Sequence, residues 1–360
     1  MKVQSVIYFS VASFFFLLIW TSCRKEQNNT GDDIDHLYAP SPADDGSHQV
    51  KSLNSFEWWY FDASFRNGYS MVSVWQYGNI EYTPLIGIPY YMILFTVYDS
   101  VGNATFVPVV FQEKDVTISN HSCDVKMREN YVSGYYPVYR VHFRQGDFGC
   151  DLTFTSETQG FRSPPGGITE FRKDPYWYLG WVVAQPRATV TGTLVYKGRE
   201  IRVEGNGYHD HNWGNVPLKS LYSFWYWGRV LMKNYTLVYS SGESSDVLAK
   251  KPLNLLIGFK GKKLIENSSE IIREELDMRY DPASTILYPS ELKLTLSGKH
   301  ISGVLDMHLI RILERYGNPL NPSQYGHGYI RFLSTCNASL MIDGINIVET
   351  DTVIHELMIP

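Results

Sequence analysis

The sequence predicts an all-β protein built from two antiparallel, barrel-like domains. Three observations carry this. Apolar and polar residues alternate in many short stretches, such as Tyr139-Arg140-Val141-His142-Phe143-Arg144 and Glu291-Leu292-Lys293-Leu294-Thr295-Leu296-Ser297. Period two gives a strand one wet face and one buried face. Aromatic residues are abundant, with 26 Tyr, 18 Phe and 9 Trp in 360 residues, which favours sheet over helix. Gly, Asn, Asp and Pro separate the alternating stretches at hairpin spacing, as closed barrels and sandwiches require. A chain that is 44% hydrophobic and 19% charged can bury a core, so wholesale disorder is excluded. A formal charge of −5 without a basic cluster excludes nucleic acid as the main partner.

Taken in order, the chain opens with Lys2, an uncharged run from Val3 to Ser22, then Cys23 and the polar Arg24-Lys25-Glu26. A basic start, an apolar stretch and small residues before a cut make a secretory signal. A cysteine directly after the small residues resembles the bacterial lipobox, in which that cysteine is acylated. Residues 1–22 are therefore expected to be a lipoprotein signal peptide, with an uncleaved anchor as the alternative. Cys23 is the expected lipidation site, and the protein is expected in the bacterial cell envelope, lipid-anchored and facing periplasm or exterior. Residues 23–51, rich in Asp, Asn, Ser, Pro and Gly, read as a flexible tether. The first domain is expected over 52–186 and the second over 187–360. The break falls at Gln185-Pro186-Arg187-Ala188, and each half opens with an aromatic-rich strand. The denser run from Tyr91 to Tyr98 suggests a strand covered on both sides. Only Ser268 to Met278 has a pattern compatible with a helix. Cys123, Cys150 and Cys336 leave an odd count, so at least one thiol is free, while Cys123 and Cys150 are a possible pair.

The densest chemical feature is Gly205-Asn206-Gly207-Tyr208-His209-Asp210-His211-Asn212-Trp213-Gly214-Asn215. It follows the alternating stretch Ile201-Arg202-Val203-Glu204. If the strand continues, Tyr208 and Asp210 face one way, and His209 and His211 the other. One reading is a metal site, since His-x-His on a strand has ligand spacing; His327 and His355 are then candidates for a third ligand. A second reading is acid catalysis by Asp210. An exposed Asp is only ~0.1% protonated at pH 7, a handicap of about 4 kcal/mol. An apolar cavity lined by aromatics would raise its pKa and remove much of that handicap. The plainer alternative is that Asp210 and Asn212 close a turn through side-chain hydrogen bonds. A Gly-x-Ser-x-Gly elbow, a P-loop and a complete dinucleotide fingerprint are all missing.

Four segments carry a resemblance: Glu57-Trp58-Trp59-Tyr60; Trp181-Val182-Val183-Ala184-Gln185-Pro186-Arg187-Ala188; the string from Gly205 to Gly214; and Trp225-Tyr226-Trp227-Gly228-Arg229. In order and spacing they resemble the carotenoid 1,2-hydratase family (hydroxyneurosporene synthase) and its relatives, the AttH-like proteins and the lipocalin-like Diels–Alderases. The resemblance covers roughly residues 55–230. It implies two lipocalin-like (calycin) barrels with a hydrophobic pocket between or within them. It also implies that Asp210 protonates an isoprenoid double bond, after which water captures the cation, with Tyr208 and Trp181 beside it. In the Diels–Alderase relatives the pocket folds a polyene without a proton donor.

The expected catalytic residues are thus Asp210, Tyr208 and Trp181. The expected substrate-binding residues are Trp58, His209, Trp213, Trp225 and Trp227. No cofactor and no metal are expected; the expected partners are a hydrophobic small molecule and, through the lipid anchor, a membrane. A pericyclase and a non-catalytic carrier of lipid or pigment remain alternatives, with a surface-interaction module a weaker one.

Overall fold

In the computed structural model, which describes residues 37–50, 54–78, 90–317, 320–321, 323 and 326–360, strands make up 71% of the described residues and helices 6%. The sheets are therefore covered by one another and by loops rather than by a helical layer. The signal segment, Cys23 and the tether up to residue 36 lie outside the described residues.

A 13-stranded sheet curls into a nearly closed barrel, and a 9-stranded sheet forms a half-barrel. Both are wound alike. In the first, the opening strand Phe56–Phe65 lies between its successor, Ser70–Gly78, and the closing strand Arg199–Gly214. In the second, Tyr222–Leu231 lies between Tyr235–Ser244 and the closing strand Ile345–Ile359. The two aromatic-rich openings seen in the sequence are these two central strands. The fold is the expected all-β pair of lipocalin-like domains.

Period two decides where each side chain goes. Trp59 and Phe61 of the opening strand, with Trp213 of the closing strand, are buried in the first barrel's core among Phe95, Phe143 and Phe154. On the opposite face, Tyr60, Tyr208, Trp181 and Val183 pack with Trp227, Val238, Ile257 and Phe259 of the second sheet. The strand Arg199–Gly214 is therefore a partition: one face lines the barrel interior, the other the contact between the domains. Its glycines follow from that position. A Cβ on Gly205 would lie 2.0 Å from the carbonyl oxygen of Ser64, and one on Gly207 would meet Val190, Phe154 and the Asp62 carbonyl within 2.8 Å.

Several expectations are corrected here. The division between domains is not at 186/187, because Pro186 lies inside the long strand Tyr176–Tyr196. That strand pairs with Phe148–Ser156 and with Arg199–Gly214, and its register shifts on both sides of Gln185. Proline has no N–H to give the ladder, so a bulge accommodates it, and the sequence break is that bulge. The chain leaves the first sheet after Gly214 and enters the second at Tyr222, through the short helix Leu218–Leu221. The stretch from Ser268 to Met278 is not a helix. Ile271–Asp281 is an edge strand paired along Ile286–Ser297, where its charged residues suit an exposed edge. Cys123 and Cys150 are both free. Their strands are separated by Asn130–Tyr135 and Val138–Gln145, three ladder steps or about 14 Å, beyond disulfide reach.

The tether reading also fails for its C-terminal part. Residues 37–50 are packed on the first barrel: Tyr38 stacks on Phe161 with ring centroids 5.6 Å apart, and Asp44 pairs with Arg162 at 3.1 Å. Asp45 is buried. The polar composition reflects buried hydrogen bonds here rather than solvation.

Gly205→Ala should lower stability by about 1–3 kcal/mol, the usual cost of overpacking, because the clash is with backbone that cannot rotate away. Urea unfolding of the variant against wild type measures this.

Candidate active site

The side chains that matter are set by cross-strand register. Asp210 sits opposite Tyr60, Tyr208 opposite Asp62, and Asn212 opposite both Trp58 and Trp181. All of them are on the partition face that looks toward the second sheet. From that sheet come Trp225 and Trp227 on Tyr222–Leu231, Ser240 on Tyr235–Ser244 and Glu356 on the last strand. Together with Leu179, Leu218 and Tyr222 they line a partly open pocket with about 90 Å³ of internal space. The pocket lies between the two domains.

Asp210 is 7% exposed, and its carboxylate is held by three donors. Trp181 Nε1–H donates to Oδ2 at 2.8 Å and Tyr208 O–H to the same oxygen at 2.9 Å; Asn212 Nδ2 donates to Oδ1 at 3.1 Å. Burial disfavours the charged form, and the Trp181 and Tyr208 bonds favour it. Burial wins, and the carboxyl is pushed up to about 6, with the nearby Glu356 adding to the rise. Oδ2 is saturated by two donors, so Oδ1 is the oxygen able to carry a transferable proton.

The structure brings together Asp210, Tyr208, Trp181, Trp58, Trp225 and Trp227. It does not bring His209 or Trp213 to them. Both are on the odd-numbered face and project into the first barrel, so their expected role in substrate binding is not supported by their position. His209 stacks on Phe61 at 3.8 Å; its Nδ1 meets the Tyr60 carbonyl at 2.9 Å and its Nε2 meets Asp45 Oδ2 at 3.0 Å. His211 Nε2 meets Glu57 Oε1 at 3.0 Å, and Trp213 stacks on His48 at 3.5 Å. These residues fasten the segment 42–50 to the barrel. The metal reading of the His-x-His pair loses its suggested third ligands, which are engaged elsewhere: His327 with the Pro360 carbonyl at 2.7 Å, His355 with Ser334 Oγ at 2.8 Å. Burial pushes the pKa of His355 down to about 3. Asp45, Cys123 and His209 do offer ligand atoms within 4.8 Å of one another, but both His209 nitrogens already have protein partners.

Tyr60, Asn212, Leu179, Leu218, Tyr222, Ser240 and Glu356 line the cavity without having been expected there. Parity along the opening strand would have found Tyr60, and parity along the motif would have found Asn212. Glu356 carries no sequence signal, since it reaches the site only because the last strand pairs with Tyr222–Leu231.

Comparison with known proteins falls on the same residues. The family model of the carotenoid hydratase CrtC matches residues 169–270. That span holds Trp181, Tyr208, Asp210, Asn212, Trp225 and Trp227, so the resemblance read from the motif holds over the heart of the site. The hydroxyneurosporene dehydrogenase of Chlorobaculum tepidum is 25% identical over 226 residues, 53% of this chain and 58% of that protein. The quinolone epoxide rearrangement protein asqO of Emericella nidulans is 26% identical over 200 residues, 52% of this chain and 54% of that one. The match spans a little over half the length of these curated relatives. The crystal structure of an AttH protein from Nitrosomonas europaea superposes with a TM-score of 0.62 at 14% identity, covering 88% of this chain and 95% of that one. It shows a shared fold.

Asp45→Ala should destabilise the protein by about 1–3 kcal/mol by leaving His209 Nε2 unpaired in the core. Retention of an apolar fluorescent ligand in the cavity should be unchanged, because Asp45 acts on the opposite face of the partition strand. Parallel unfolding and binding titrations check both halves.

Proposed function

We propose that this chain is a hydratase-like enzyme that protonates an alkene of a hydrophobic isoprenoid or polyene through Asp210. One observation carries the reading: an aspartate out of water, in an aromatic-lined cavity, with its carboxyl pushed up to about 6. At that value roughly a tenth of Asp210 is protonated at pH 7, about a hundredfold more than an exposed aspartate. Protonation of a trisubstituted alkene leaves a tertiary cation without hydrogen-bonding surface. The faces of Trp58, Trp181, Trp225 and Trp227 stabilise such a cation by about 0.5–2 kcal/mol each, and the largely apolar walls limit the water around it. The match to the carotenoid hydratase model across the same strands supports this chemistry.

A second reading follows from the relation to asqO, a rearrangement protein by name. Here the cavity folds a polyene or strained substrate into a reactive shape, and Asp210 only orients it. A pure carrier fits less well. It accounts for the odd-numbered face, locked in structural bonds, but not for a carboxylic acid aimed into an apolar cavity. Lipidation at Cys23 belongs to the same proposal: an anchor at the bilayer surface would hold the cavity where water-insoluble polyenes reside.

Asp210→Asn should keep the shape and most hydrogen bonds while removing the acid. Turnover of an isoprenoid alkene should fall about 10²–10⁴-fold with little change in binding; wild-type turnover in this variant would leave the rearrangement reading standing. The rate should follow the protonated aspartate as pH rises, falling about tenfold per unit above pH 6. Trp181→Phe removes a donor that favours the carboxylate, so its pKa should rise and the fall in rate should move to higher pH. Rate–pH profiles of the two proteins show the direction of the shift.

A further inference from the structure

Glu356 shares the cavity with Asp210 but comes from the other domain. Its Oε2 accepts the Tyr329 O–H at 2.8 Å and lies 3.4 Å from Arg331 Nη2. Among the described residues no hydrogen bond ends on its Oε1. On the neighbouring strand, directly opposite in the ladder, Trp227 also lines the cavity. Trp227 is 93% buried, being 7% exposed, and its indole Nε1–H has no partner among the described residues. An unused acceptor in the pocket and a buried, unpartnered donor thus stand on adjacent strands. A buried donor left unpaired costs about 1–3 kcal/mol, so such a pair persists where something completes it. A water between them would accept from the indole N–H, donate to Oε1, and keep one lone pair and one proton.

We propose that Glu356 is a second catalytic residue, which together with the indole N–H of Trp227 holds the water that captures the substrate cation and takes its proton. This deepens the reading of Asp210 as the acid and rests on it. The steps balance. The alkene π pair forms a C–H bond with the Asp210 proton, leaving a tertiary cation and an Asp210 carboxylate. The water lone pair forms the C–O bond while its O–H bond breaks toward Glu356 Oε1. The product is a tertiary alcohol, with Glu356 protonated and Asp210 ionised. Return of that proton to Asp210 through water resets the site, and nothing is oxidised or reduced.

Burial pushes both carboxyls up; at Glu356 the Arg331 guanidinium and the Tyr329 O–H oppose that rise, whereas Asp210 has neutral hydrogen-bond donors and no cationic partner in contact. The other charged and titratable groups facing this corner are already engaged. Asp62 is bound by Arg229 and by the Tyr60 O–H at 3.0 Å, and Glu314 by the Tyr98 O–H at 2.7 Å. Arg331 and Tyr329 are positioning residues, since they act on Oε2 and leave Oε1 to the cavity.

The test uses wild type, Glu356→Gln and Asp210→Asn with lycopene, an acyclic polyene ending in trisubstituted alkenes, in D2O. Mass spectrometry follows both the alcohol and deuterium entering recovered lycopene. In Glu356→Gln the alcohol should fall at least 10²-fold. Deuterium should still enter the polyene, because the cation forms and collapses by proton loss. Asp210→Asn should abolish both. A Glu356→Gln variant that hydrates within about threefold of wild type overturns the proposal, as does one that is folded and loses deuterium entry together with the alcohol. Deuterium entry that survives Asp210→Asn instead overturns the acid reading. Should Glu356→Gln fail to fold, Trp227→Phe removes the other half of the water site; a loss of alcohol of about tenfold with deuterium entry kept supports the proposal, and an unchanged ratio of the two overturns it. Should wild type leave lycopene untouched, carboxyl carbon NMR of labelled aspartate decides: Glu356→Gln should lower the pKa of Asp210, and an unmoved titration overturns the proposal.

Discussion

The strand Arg199–Gly214 is buried on both faces from Tyr208 to Asn212, and the rest of the structure answers to that. A polar group withdrawn from water must find a partner or change its ionisation. On the barrel side, His209 and His211 find partners in Asp45 and Glu57. That need is why an otherwise loop-like segment, 37–50, is drawn onto the barrel. On the domain side, Asp210 finds only neutral donors, and so its ionisation shifts instead. One strand thus separates a structural use of polar residues from a chemical one by the alternation of its side chains.

The contact between domains is held by a second set of buried polar groups. Arg229 reaches Asp62, and Arg331 reaches the Tyr60 oxygen at 3.1 Å. Tyr98 and Thr96 of the first sheet bond to Glu314 of the second. Ion pairs of this kind contribute little net stability, because desolvation offsets most of their attraction, but a mismatched docking would leave charges unpaired. Their effect is to fix one arrangement of the two sheets. The cavity exists only in that arrangement, since each sheet supplies part of its wall.

The apolar part of the wall has a complementary role. Trp58, Trp181, Trp225 and Trp227 bring large rigid rings to a cavity with very few charged groups. Such a surface binds by area and selects by shape. On the reading proposed above, it would offer a forming cation electron-rich faces.

How much of this was legible in the sequence depends on the range of the interaction. Alternation is local, so the all-β class and the strand bearing Tyr208, Asp210 and Asn212 could be read directly. Parity on that strand already separated Asp210 from His209, and extended by two residues it would have kept Trp213 out of the binding site as well. The aromatic strings at Trp58, Trp181, Trp225 and Trp227 stood out because aromatic clusters are conspicuous in any context. What tertiary structure alone decided is everything set by pairing between distant strands. Pro186 looks like a linker until the bulge in a continuous ladder is seen. Ser268 to Met278 looks helical until an edge partner claims it. Asp45 looks solvated until it is found against His209. Glu356 is one acid in an alternating strand near the chain's end, and nothing near it in sequence points to Asp210, 146 positions away. Its place in the cavity follows from the closing of the second sheet, because strand pairing, unlike alternation, is a choice among remote partners that only the folded chain makes.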